Sequence, residues 1–113
     1  MSARLPAGVE VSALIRRVQQ EGGFATVLAR GEAEAGTILL VLLERGAPAR
    51  AVERMPMLDG TRAWQESARE DTDNTGKFTE WVERRHRQDP DLWVLELDIP
   101  SPERFIELSS PAG

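Results

Sequence analysis

Asp71, Asp73 and Thr75 stand at alternate positions in Asp71-Thr72-Asp73-Asn74-Thr75-Gly76, the oxygen spacing of a calcium loop. Glycine at the sixth place supplies the sharp turn such loops need. The match fails at the twelfth place, where a bidentate glutamate belongs and Val82 stands. Glu83 is one residue too late, rotated by about 100° on a helix. The segment therefore reads as a solvated loop with Asn74 or Thr75 capping a helix. No metal site is expected.

Arg84-Arg85-His86-Arg87 gathers three guanidinium groups and the sole histidine within four residues. As function, Arg84, Arg85, His86 and Arg87 form a binding knob for an anion or nucleic acid. As structure, cations near a helix C-terminus complement its dipole. Glu80 and Glu83 also stand four residues before Arg84 and Arg87, the spacing of helical ion pairs. His86 borders an apolar stripe set by Phe78 and Val82. A catalytic histidine needs a nucleophile and an orienting acid beside it, and no Ser or Thr can be paired with it from spacing.

Two further patterns carry less. Gly31 to Gly36 has the glycine spacing of a phosphate loop but lacks its lysine, precedes a strand, and carries Glu32 and Glu34, which repel phosphate. Glu96 and Asp98 lie two apart on one strand face, where a wet surface is the default over an acid/base pair. Trp64, Trp81 and Trp93 each fall within an apolar pattern and belong to the core.

The composition bounds these readings. The chain has 113 residues, a net charge of -5, one His and no Cys. It has the length of one domain spanning 1–113, with 1–6 and 109–113 as loose ends. Without cysteine there is no disulfide scaffold, thiolate metal site or thiol nucleophile. The acidic balance argues against a nucleic-acid partner. Thirteen of the 14 basic residues are arginine, but they are scattered from Arg4 to Arg104. The first six residues lack the apolar core of a signal peptide. The longest apolar run, Ile38 to Leu43, is far short of the about 20 residues a membrane helix needs. A cytoplasmic protein without a membrane partner or cofactor is expected.

The elements that must position these residues follow from periodicity. Val11, Leu14, Ile15 and Val18 predict a helix over about 9–21, stopped by Gly22-Gly23. Strands are expected at Phe24 to Arg30 and Thr37 to Glu44, paired as a hairpin across Gly31 to Gly36. The nearly all-aliphatic second strand reads as central and buried on both faces. Weaker strands follow at Arg50 to Met55 and Thr61 to Glu66, with Ser67 to Asp73 as a loop. A second helix spans about 75–88, with Phe78, Trp81, Val82 and Arg85 on one side. A fifth strand, Leu92 to Ile99, alternates Trp93, Leu95, Leu97 and Ile99 against Leu92, Val94, Glu96 and Asp98. Ser101-Pro102 opens a last short helix. The order α-β-β-β-β-α-β-α predicts an α+β domain: an antiparallel sheet of about five strands with the helices on one face.

Several stretches together resemble a known family. They are Val11 to Arg17, Gly22 to Leu28, Gly36 to Leu39, Glu53-Arg54-Met55-Pro56, Asp59-Gly60-Thr61-Arg62 and Gln88 to Trp93. The chain resembles the alphaproteobacterial family catalogued as domain of unknown function 1491, nearly end to end. The resemblance implies a bacterial single-domain protein and carries over no activity, ligand or catalytic residue. On the residues alone, the expected function is a non-catalytic binding or protein-interaction module, with a second copy as one candidate partner. The alternatives are a small enzyme using His86 with a carboxylate, and an anion binder through Arg84 to Arg87.

Overall fold

The computed structural model describes residues 5–109. Its elements run α1 (Ala7–Gln20), β1 (Phe24–Ala29), β2 (Ile38–Leu43), β3 (Arg50–Pro56), β4 (Arg62–Arg69), α2 (Thr75–Gln88), β5 (Trp93–Asp98) and α3 (Pro102–Ser109). The α+β class, the five strands and the order of elements are those the sequence predicts. The ends expected to be loose fall mostly on residues 1–4 and 110–113, outside the described residues.

The sheet departs from the expected antiparallel meander. Its strand order is β1-β5-β2-β3-β4, and β5 runs parallel to β2. β1 pairs antiparallel with β5, so the expected β1–β2 hairpin does not exist. The reason lies in Gly31 to Gly36, which crosses the start of β5 instead of turning between neighbours. Glu32 donates its backbone N–H to the Asp91 carbonyl at 3.0 Å, and Trp93 donates to the Thr37 carbonyl at 2.8 Å. The Trp93 indole N–H reaches the Glu32 carbonyl at 2.9 Å. Any Cβ at Gly31 would lie 2.1 Å from the Asp91 carbonyl oxygen, and at Gly36 2.4 Å from it. These glycines serve close backbone approach, not phosphate.

The same loop closes the start of α1. Pro6 occupies the N-cap position and offers no side-chain cap. Ala7 and Gly8 instead donate their N–H groups to the carbonyls of Glu34 and Ala33, at 3.1 and 2.8 Å. At the other end Gly22, at φ +81°, closes a Schellman turn: Gly23 bonds back to Val18 and Gly22 to Gln19.

The helices do not share one face, the second departure. On the first face α1 and α3 bury Val11, Leu14, Val18 and Phe105 against Leu40, Leu42, Val52, Leu95 and Leu97. On the other, Phe78 of α2 joins Leu39, Val41, Ala51, Leu92 and Val94. β2 alternates aliphatic side chains to both faces, and both need a cover. β4 extends to Arg69, through part of the segment expected as loop. A bulge opposite Ala51 and Val52, with Ser67 as the extra residue of β4, shifts its register against β3 by one.

Ion pairs fix the helices to β3. Arg54 pairs with Glu10 of α1 and lies over the Trp64 ring, 4.5 Å from its centroid. Arg50 reaches Glu103 of α3 at 2.6 Å. Gly31→Ala is expected to cost at least about 2 kcal/mol, because the methyl meets backbone that cannot step aside. A urea unfolding midpoint unchanged by that substitution would contradict the crossing-loop geometry.

Candidate functional site

α2 owes its position to its stripe at 78, 81, 82 and 85. Phe78 and Trp81 stack with ring centroids 6.4 Å apart, and Trp81 and Val82 pack on the core around Leu39 and Val41. Arg85 completes the stripe with a forked contact to Glu53 of β3. Its Nη1 and Nη2 donate to the two carboxylate oxygens at 2.6 and 2.9 Å. The guanidinium also lies 5.4 Å from the Trp81 ring centroid. Arg85 holds the Glu53 carboxyl below its ordinary range, and Glu53 in turn raises Arg85.

This anchoring draws α2 toward β3 and leaves the sheet open on the β1 side. A cleft of about 670 Å³ fills that gap. Val41, Leu43 and Val94 line its floor, with Ala29 and the bulged Leu28 toward the β1 edge. Phe78 and Val82 wall it from the helix. Polar groups gather around this apolar surface: Glu70, Thr79, Glu83, His86, Arg87 and Glu96. The volume lies within the range of about 300–1,000 Å³ usual for small-molecule sites.

The four residues of the basic knob point in different directions, as a 100° step per residue requires. Arg84 faces outward and pairs with Glu80 at 3.6 Å. Arg85 is spent on Glu53. Only His86 and Arg87 line the cleft. The Nε2 atom of His86 is buried and makes no hydrogen bond among the described residues. The cleft brings His86 together with Glu70, Glu83 and Glu96, but none of these carboxylates forms an ion pair with it. Among the described residues the orienting contact that catalysis by a histidine requires is not made.

Asp71, Asp73 and Thr75 of the calcium-like segment do not line the cleft, although Glu70 and Phe78 on either side of it do. The Asp71 carboxylate accepts the N–H of Asp73 at 2.9 Å, and Asn74 bonds back to the Asp71 carbonyl at 2.9 Å. Asn74 holds the N-cap position of α2 without a side-chain hydrogen bond. Asp71, Asp73 and Thr75 are all exposed. Among the described residues no three His, Asp or Glu side chains converge in a way that could hold a metal ion.

Glu96 is the polar residue of the cleft that strand alternation exposed in advance. It is half-buried on β5, and its carboxylate makes no hydrogen bond or ion pair among the described residues. Sequence reasoning did not place Glu70 and Glu83 together in a cleft. Glu83 follows Thr79 by four residues and precedes His86 by three, a polar stripe beside the apolar one, and that spacing was the available signal. Glu70 comes in through the longer β4.

A family model described as "Protein of unknown function (DUF1491)" matches residues 5–107. The chain belongs to the DUF1491 family. A crystal structure of a DUF1491 family protein from Caulobacter crescentus CB15 is 33% identical, with a TM-score of 0.79. The match covers 97% of this chain and 100% of that one. An NMR structure of a DUF1491 family protein from the same organism is 32% identical, with a TM-score of 0.77 and 99% of each chain covered. The solution structure of protein Atu0922 from A. tumefaciens is 28% identical, with a TM-score of 0.72, covering 97% of this chain and 98% of that one. No curated protein matches the chain. The DUF1491 assignment agrees with the resemblance carried by the sequence motifs. Among the described residues no helix is long and apolar enough to cross a membrane.

The depressed Glu53 carboxyl sets a pH dependence. A group held below its ordinary value of 4.5 contributes stability that is present above that value. The contribution is lost as pH falls through the lower, folded value. Glu53→Gln is expected to cost about 1–3 kcal/mol at neutral pH, between exposed and buried pairs. Urea midpoints measured from neutral pH into acid should converge for the two proteins. A constant gap across that range would show that the charge of Glu53 contributes nothing.

Proposed function

We propose that this chain is a non-catalytic binding module of the cytoplasm that works as a homodimer and takes a small organic cation in the cleft beneath α2. One observation carries the ligand reading: Glu96, a half-buried carboxylate without a partner among the described residues, at the edge of an apolar floor. A buried charge costs free energy until something of opposite sign meets it. Glu70 and Glu83 add two more negative charges around the cleft, and Arg87 is its single permanent cation. The complementary ligand is an ammonium or amidinium on an apolar body, the charge toward Glu96 and the body over Val41 and Val94. His86 supplies a buried ring nitrogen, Nε2, that has a hydrogen bond still to make. The acidic net charge of the chain favours the approach of cations.

The homodimer reading draws support from exposed apolar side chains. Phe24, Val27 and Leu28 fall within the six residues of one strand. Cytoplasmic residence draws support from the absence of cysteine.

Calorimetric titration with alkyl- and arylammonium ions, and with carboxylates of the same shape, tests the ligand class. The ammonium series is expected to bind and the carboxylates to give no heat. Glu96→Gln should weaken ammonium binding at least about tenfold, the equivalent of one charge-assisted hydrogen bond. Binding of the carboxylates instead would overturn the proposal in favour of anion recognition through Arg87. Silence from both series would leave the cleft without this function.

A further inference from the structure

The two edges of the sheet are built differently. β4 carries Arg62, Glu66 and Arg69 along its edge, the charged dressing that keeps sheet edges apart. β1 reads Phe-Ala-Thr-Val-Leu-Ala and has no charge and no proline. It pairs only with β5, so its other side presents unpaired backbone groups. Phe24 is 75% exposed and Leu28 49%, beside the free edge. An uncharged apolar edge is the surface that strand addition uses.

We infer that β1 pairs antiparallel with β1 of a second copy, making one ten-stranded sheet and placing Phe24 of each copy at the mouth of the other's cleft. This rests on the homodimer reading and assigns its interface.

The occupant follows from symmetry and charge. A two-fold axis perpendicular to the sheet keeps both α2 helices on one side and requires residues of equal parity to face each other. Centred on Thr26, it sets Thr26 against Thr26 and Ala25 against Val27. Phe24 then meets Leu28 of the second copy. Ala25 packs on the α1 face, so its neighbour Phe24 projects to the α2 face, where Leu28 lines the cleft. Each cleft gains an aromatic wall on its open side.

No like charges collide. The nearest acids beside β1 are Glu96 and Asp98 on β5, opposite Thr26 and Phe24. Across the joined edges the two β5 strands lie about 14 Å apart, three strand spacings, which exceeds the screening length at physiological salt. Joining β1 to β4 instead would set an apolar edge against a charged one and propagate without closing.

The bulge at Leu28 leaves Ala25 to Val27 as the regularly paired residues about Thr26, so Phe24 meets Leu28 through side chains at the border of the ladder. Because the chain has no cysteine, a single introduced thiol reports on the interface. Thr26→Cys is expected to form a disulfide-linked dimer on mild oxidation, while Gln65→Cys on the β4 edge stays monomeric under the same conditions. Light scattering should give the wild type twice the 12.6 kDa chain mass, and Phe24→Glu the single mass with unchanged circular dichroism. Phe24 is exposed, so its substitution tests pairing without disturbing the core. A wild type that stays at 12.6 kDa throughout the micromolar range would overturn both the dimer and this interface. A wild-type dimer that persists in Phe24→Glu and fails to cross-link through Thr26→Cys would overturn the interface alone.

Discussion

The parallel pairing of β5 with β2 governs the rest of the structure. Six consecutive partners, from Ile38 with Trp93 to Leu43 with Asp98, join the two most apolar strands. Both strands send side chains to two faces, so helices must cover two faces. Parallel neighbours cannot be joined by a tight turn, so the connection from β2 to β5 carries β3, β4 and α2. β1, excluded from β2, becomes an edge. The Gly31 to Gly36 loop must then travel across the head of β5, and only glycine leaves room for the backbones there.

β3 turns this frame into a site. Glu53 and Arg54 are adjacent and therefore project to opposite faces. Glu53 takes Arg85 of α2, and Arg54 takes Glu10 of α1. A helix pinned at β3 cannot also cover β1 and the far end of β5. The open part of the second face is the cleft, and Glu96 is left within it. The site is thus a by-product of where one ion pair places one helix.

Much of this was legible in the sequence. α2 was readable to its ends because Phe78, Trp81, Val82 and Arg85 share a strict helical spacing. The two faces of β5 were readable from alternation alone. Strand order was not, because propensity and turn chemistry are local while the β5–β2 pairing joins residues more than fifty positions apart. The glycines at 31 and 36 looked like a hairpin turn, and nothing nearby showed that Asp91 would lie against them. The double-faced aliphatic pattern of β2 already conflicted with helices on one side only. Of the basic knob, Arg85 was correctly placed toward the core and His86 beside the apolar stripe, yet the stripe could not reveal that Glu53 would take the guanidinium. The cleft itself arises from an absence of cover, which local patterns do not encode.

The position of β5 has a consequence for how the chain is made. An interior strand of the sheet, between β1 and β2, is the last of the five to be synthesised. Until residues 93–98 emerge, β1 has no partner at all and β2 has only β3. A chain synthesised only as far as α2 therefore holds two apolar strand edges open, the condition that invites mispairing and chaperone capture. The sheet closes in one late step, when the fifth strand slides between the first two and the loop at Gly31 to Gly36 seats over its end. The sheet of this domain cannot close before its last strand is made.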